Sequence, residues 1–489
     1  MSLPNDDIAA TYPHNLPSPT KTRMKQHLLI ATMMLALGLS DALAQFAFTR
    51  VVSTVTPVPG GSGPFDFMAY PCTDGQRVYF NGADEANHQG VFGGTGGALT
   101  TLADWTTPIP GASGVFEDFD RPHAYQGRVG FVAGNTTVRG LYLASGGSVE
   151  RIADTTVALP GGAGMFESFS DFSVASWGVA FRANANLSTE GIYRHSATGL
   201  AAVATFQTPV PGGSGSTFGT FYFPVADEKG LTFFGNNLQT GDARRFGIYR
   251  ATESGTIQPV INNTDIDPGS GTPYSAFGHQ AVNAAGQLAI VAESAEGALR
   301  SLRFWTGDRW TTLAQVGTPV PGSPTAHITF IAPAVSLDEW GNVAFHADDD
   351  TSNTGIYLAT GGQLLKVVDL NTPIDEGKKP LDEHSLGLAD NQMAGGMLAF
   401  YAVTEPGEFG IYMTSVSKPA PCLRITAAPG TVSLFWPTNA IGFRLQQAVT
   451  LPPAVAWDNV TNTPTTLGAE FQVQVGRLGN AGFYRLVNP

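Results

Sequence analysis

Side chains able to bind a ligand or move a proton gather at a few places along the chain. Asp84, Glu85 and His88 fall within five residues of one another, and His346 precedes the run Asp348-Asp349-Asp350 with Asn353 close behind. Asp348, Asp350 and Asn353 are the oxygen donors a Ca²⁺ loop uses, so Ca²⁺ is the one cofactor the pattern would accept. They lack the spacing and the distal Glu of a helix–loop–helix calcium site. A third group, His279, Glu293, Glu296, Arg303 and Trp305, mixes a base, carboxylates, a guanidinium and an indole. That mixture suits acid–base work or stacking on a sugar. Nucleophile elbows, paired zinc histidines, Cys-x-x-Cys pairs and phosphate-cradling loops are missing, which removes the common hydrolase, metalloprotease and nucleotide-binding classes.

The elements that hold these side chains follow from a repeat. A Pro-Gly phrase starts at Thr56, Thr107, Val157, Thr208, Thr264, Thr318 and Thr372, a period near 50 residues. Downstream in most units comes a second phrase, as in Gly140-Leu141-Tyr142, Gly247-Ile248-Tyr249 and Gly355-Ile356-Tyr357; the fifth unit has Leu302-Arg303-Phe304-Trp305 there. Short apolar runs between the phrases give about four strands per unit, in the second unit near 119–125, 128–133, 140–144 and 149–153. With 58 Gly and 33 Pro and no helical periodicity, the chain reads as all-β. Repeats of this length with four antiparallel strands predict a seven-bladed β-propeller over residues 45–415. The last unit offers only three strands, so the segment 46–55 is expected to supply the fourth and close the ring.

The Asn-x-x-Gly-x-x-Ala-Phe and Gly-Ile-Tyr phrases resemble the tandem repeats of secreted proteins of planctomycete- and verrucomicrobia-type bacteria, over about residues 46–415. After a linker at 416–422, residues 423–489 alternate like a small β-sandwich. Their markers Leu434-Phe435-Trp436-Pro437 and Phe483-Tyr484-Arg485-Leu486 resemble a fibronectin type III-like terminal module. Trp436 and Trp457 are expected in its core rather than on a sugar platform. The aromatics after each Pro-Gly phrase, among them Phe65, Phe116, Phe166 and Phe218, are expected to be packing residues because they recur in nearly every unit. Strand alternation puts the Pro-Gly loops and the hairpins carrying Asp84 and Asp348 on one face. Cys72 and Cys422, the only cysteines, fall near the ring closure and are expected to form a disulfide.

Compartment and partners follow from charge and the N-terminus. Residues 24–44 have the parts of an export signal: Lys25, the apolar run Leu28–Leu39 and the Ala42-Leu43-Ala44 cleavage site, with residues 1–23 an upstream extension. No further apolar stretch would span a membrane, so a secreted chain, extracellular, periplasmic or surface-bound, is expected. Forty acidic residues against 26 basic ones give a net charge of −14, which disfavours nucleic acid and anionic membranes. The expected function is a non-catalytic binding or scaffold propeller for an extracellular glycan or protein. The alternative is a polysaccharide lyase or glycosidase using the acidic loop face.

Overall fold

The computed structural model describes residues 46–487 apart from 163, 186–189, 295–299, 308, 420, 422, 429, 438–442, 451–456, 468–469 and 477–481. The segment expected to be an export signal, 24–44, Cys422 and Glu296 lie outside the described residues.

Apart from one short 3₁₀ turn at Gly241–Ala243, the described elements are strands, as the Gly and Pro content requires. From Phe48 to Ser415 they form successive antiparallel sheets, most of them four-stranded meanders. The second repeat shows the pattern: Asp118–Tyr125, Arg128–Gly134, Arg139–Ser145 and Ser148–Asp154 pair in chain order. These agree with the expected strands to within two residues.

Most Pro-Gly loops are tight connections whose central apolar residue is buried; in the fifth, Asp267 takes that place. Val58 donates its amide to the Gly63 carbonyl at 2.9 Å, and Ile109 and Leu159 do the same to Gly114 and Gly164. The aromatic after the loop meets the tyrosine of the second phrase edge-on: Phe116 with Tyr142, Phe166 with Tyr193 and Phe218 with Tyr249 have ring centroids about 5 Å apart. Phe65, Phe116, Phe166 and Phe218 are all at most 1% exposed, so this recurring set is core.

The first strands of the sheets lie innermost and pack against one another in sequence, and the last sheet returns to touch the first. Phe48–Ser53 pairs with Glu408–Ser415, so the N-terminal segment completes the final sheet as expected. Arg50 adds ion pairs to Asp375 at 2.8 Å and Glu408 at 3.2 Å. The same closure brings Gly75, at φ +85°, against the 394–396 hairpin; a Cβ there would lie 2.7 Å from Gly395 Cα, so only glycine fits.

Downstream, Arg424–Ala428, Thr431–Pro437, Thr465–Leu467 and Glu470–Gly476 form one small sheet. Arg444–Ala448, Asp458–Asn459 and Phe483–Val487 form a second. Val432, Leu434, Trp436, Leu445 and Val473 share one apolar cluster between them. Trp436 is 2% exposed, whereas Trp457 lies under the Arg485 guanidinium at 4.3 Å.

Candidate functional site

The inner strands surround a cavity of about 470 Å³, lined by residues from Tyr70 to Ala394. Its wall is shaped by bulges. In the first sheet Ala69 pairs with Asn81 and Cys72 with Tyr79, which leaves Tyr70 and Pro71 together opposite Phe80. Arg121-Pro122 stand likewise opposite Phe131, and Phe223-Pro224 opposite Phe233. Proline has no amide to give a ladder, so it settles at such a bulge. Tyr70, Arg121 and Phe223 take φ values of 50°, 43° and 51°, a left-handed conformation that costs a non-glycine residue about 1–2 kcal/mol. Asn391, which lines the same cavity, has φ 57°.

The bulges bring a connected set of side chains to one level. The Arg121 guanidinium lies 5.5 Å over the Tyr70 ring and donates to Asp171 at 3.0 Å. Asp171 also accepts from the Phe223 amide at 3.4 Å and pairs with Arg182 behind it at 3.5 Å. The Phe223 ring stacks on His279 with centroids 3.6 Å apart. His279 Nδ1 then meets Asp390 Oδ2 at 2.7 Å, across 111 residues of sequence. An aromatic face, a guanidinium, a carboxylate, an imidazole and a second carboxylate thus line one cavity. Toward the turn end of the inner strands, the Glu228 carboxylate accepts from Tyr125 at 2.7 Å and from Ser176, and these hydroxyls hold it below the usual carboxylate range.

Of the residues singled out from sequence, His279 is the one that belongs to this set. Asp84 is buried: burial works against its charge, but His88 and Ser62 hydrogen bonds outweigh it and hold the carboxyl well below its ordinary range. Its bond to Ser62 ties the first hairpin to the Pro-Gly loop, which places both on one face as expected. His88 packs on Trp105, ring to ring at 4.5 Å, and Glu85 is exposed. His346 Nε2 meets the Thr354 hydroxyl at 2.8 Å, and burial lowers its pKa. Asp348 accepts from Thr354, Asp350 from the His327 amide, and Asn353 donates to Asp369, so the three expected calcium donors point to separate partners. Among the described residues no three His, Cys, Asp or Glu side chains gather as a metal site.

Arg303 lies in the core, 4% exposed, beside Asp267 at 3.7 Å, and Trp305 packs on Trp310 at 5.3 Å. Cys72 is buried among Tyr79, Phe119 and Ala124, and burial pushes its thiol pKa up; the other half of the expected disulfide, Cys422, is outside the described residues.

Tyr70, Arg121, Asp171, Phe223 and Asp390 escaped the sequence reading. The signal was present for three of them: a proline in the middle of an inner strand, at Tyr70-Pro71, Arg121-Pro122 and Phe223-Pro224, marks a bulge.

His123, two residues past Arg121, also lines the cavity and accepts the Val174 amide on Nδ1 at 3.2 Å. Burial pulls its pKa down to about 4. The unfolded chain protonates this imidazole near its ordinary value of about 6.5, so its contribution is intact above that pH and is lost as the pH falls toward 4. Urea unfolding at pH 7 and pH 4.5 should show a loss of about 2–3 kcal/mol in the parent chain beyond that in His123→Gln. An equal loss in both chains would contradict this.

Among solved structures the chain is similar to the β-propeller domain of the Trilobed protease from Pyrococcus furiosus, with 9% identity over 72% of this chain and 95% of that one and a TM-score of 0.44. Similar too are an acylaminoacyl peptidase (8% identity, 76% and 58% covered, TM-score 0.42) and the polysaccharide lyase Uly1 (10%, 77% and 99%, 0.41). No curated protein matches the chain. No helix among the described residues is long and apolar enough to cross a membrane. Residues 47–302, more than half of the chain, match the family of unknown function DUF7453, and the protein belongs to that family.

Proposed function

We propose that the protein is an exported, seven-bladed β-propeller, with its signal at 24–44 and a fibronectin type III-like module at 423–489, that binds an extracellular saccharide in its central cavity. The observation that carries this reading is the inner wall itself. Strained bulges hold Tyr70, Arg121 and Phe223 beside Asp171, His279 and Asp390 in a cavity of about 470 Å³. Aromatic faces beside hydrogen-bonding groups suit a sugar ring, and strained backbone concentrated around one cavity is a common mark of a binding site.

A second reading, a carbohydrate-active enzyme, draws on the His279–Asp390 contact at 2.7 Å in the same cavity as Tyr70 and Arg121. A carboxylate that orients an imidazole is the arrangement a general base needs.

Thermal-shift titration of residues 45–489 with a panel of oligosaccharides tests the binding reading. A rise in melting temperature with at least one glycan, lost in Phe223→Ala, is the expected result. No shift with any of them would turn the reading toward a protein partner. Release of new reducing ends that stops in His279→Gln would establish the enzyme instead.

A further inference from the structure

The charges around the cavity are lopsided. Asp74, Asp171, Glu228, Glu339 and Asp390 line it against a single guanidinium, that of Arg121. A sixth lining carboxylate, Asp227, is paired with Arg250. Of the nearby cations, Arg182 pairs with Glu190 at 2.7 Å and, behind the wall, with Asp171 at 3.5 Å, while Arg128 and Lys229 donate to the Ala175 and Ala285 carbonyls. Asp390 is 44% exposed in its side chain, and Glu228 and Glu339 are exposed as well.

Two further observations and one general principle point the same way. The one guanidinium of the wall sits over an aromatic face and against a carboxylate, the cradle in which a cation is stabilised. Gln280, 2% exposed and part of the cavity wall, gives its amide N–H to the Phe223 carbonyl and leaves its own carbonyl oxygen without a partner among the described residues. A buried acceptor left unpaired is uncommon, so this stretch of the wall is short of donors. Low-dielectric walls of one sign also concentrate ions of the other sign.

We infer that the ligand of the central cavity carries primary ammonium groups, so that an amino sugar is preferred over its acetylated or acidic counterparts. This rests on the cavity being the binding site, as proposed above. An ammonium donates three hydrogen bonds and accepts none, which matches a wall rich in acceptors. A uronate or a phosphorylated sugar would meet like charge on most sides.

Isothermal titration of residues 45–489 at about 20 and 200 mM salt, with a glucosamine hexamer, an N-acetylglucosamine hexamer, an oligogalacturonate and spermidine, tests the inference. The glucosamine hexamer should bind at least tenfold tighter than the acetylated one, and its affinity should weaken several-fold at the higher salt. Asp390→Asn and Glu228→Gln should each weaken it at least fivefold, with melting temperatures within about 2 °C of the parent showing that both variants fold. Binding of spermidine without any oligosaccharide would keep the ammonium chemistry and identify a polyamine as its source, overturning the saccharide reading alone. Equal or tighter binding of the acetylated or acidic oligomer would overturn the inference and leave the cavity as a sugar site. No binding by any of the four would overturn both.

Discussion

Replacing Arg303 or Asp267 alone with alanine should cost about 3–5 kcal/mol of stability, and replacing the pair by Tyr and Val should restore most of that loss. The reason lies in what the two residues displace. Asp267 occupies the loop position where other repeats bury Val58, Ile109, Leu159, Val210 and Val320, and its amide makes the matching bond to the Thr272 carbonyl. Arg303 pairs across its strand just past the bulge that follows Leu302, where Tyr249 and Tyr357 follow Ile248 and Ile356. The fifth sheet has therefore exchanged an aromatic–aliphatic contact for a buried charge pair, steadied by Thr312 and by the Tyr274 hydroxyl, which donates to Asp267 at 3.4 Å. Removing one partner strands the other charge away from water, whereas the apolar pair needs no compensation. Chemical denaturation of Arg303→Ala, Asp267→Ala and the double variant Asp267→Val/Arg303→Tyr gives the comparison. A double variant no more stable than either alanine variant would show that the apolar pair does not fit this sheet.

A chain beginning at Thr54 should lose its cooperative melting transition and elute as aggregates. The missing strand Phe48–Ser53 carries Val51 and Val52, at most 4% exposed, into the core shared with Phe65, Phe80 and Ile411. Its loss would uncover the whole edge of Glu408–Ser415, and an unpaired edge strand invites pairing between molecules. Arg50→Ala, by contrast, should cost no more than about 1 kcal/mol, because its side chain is 36% exposed and its ion pairs are screened. Size-exclusion chromatography with a calorimetric scan separates these outcomes. A monomeric truncated chain melting within about 2 °C of the parent would mean that the final sheet does not depend on the N-terminal strand.

The architecture was largely legible because its determinants are local. Pro-Gly loops, glycine turns and period-two apolar runs recur often enough that the strands of the second repeat could be placed within two residues of Asp118–Tyr125 and its neighbours. The cavity wall was not legible, for an equally physical reason. A bulge breaks the two-residue period, so alternation no longer tells which way Tyr70, Arg121 or Phe223 points. His279 stood out as a base, but Asp390 becomes its neighbour only once the ring of sheets has closed. Asp84 was misjudged for a different reason: an acidic residue in a turn looks the same in sequence whether it awaits a ligand or ties its own loop, as this one does through Ser62 and His88. Arg303 read as a ligand-face candidate because nothing nearby in sequence announces that Asp267 lies beside it.

The bulged inner strands have an evolutionary consequence. Side chains that stand outside the ladder contribute little to which strands pair, so folding places few demands on their identity. Tyr70, Arg121 and Phe223 share one structural station, each just before a proline and opposite a phenylalanine of the second strand, yet differ in size, charge and polarity. Selection can exchange such residues without rebuilding a sheet. The scaffold thus allows the lining of its cavity to change residue by residue while the core stays the same.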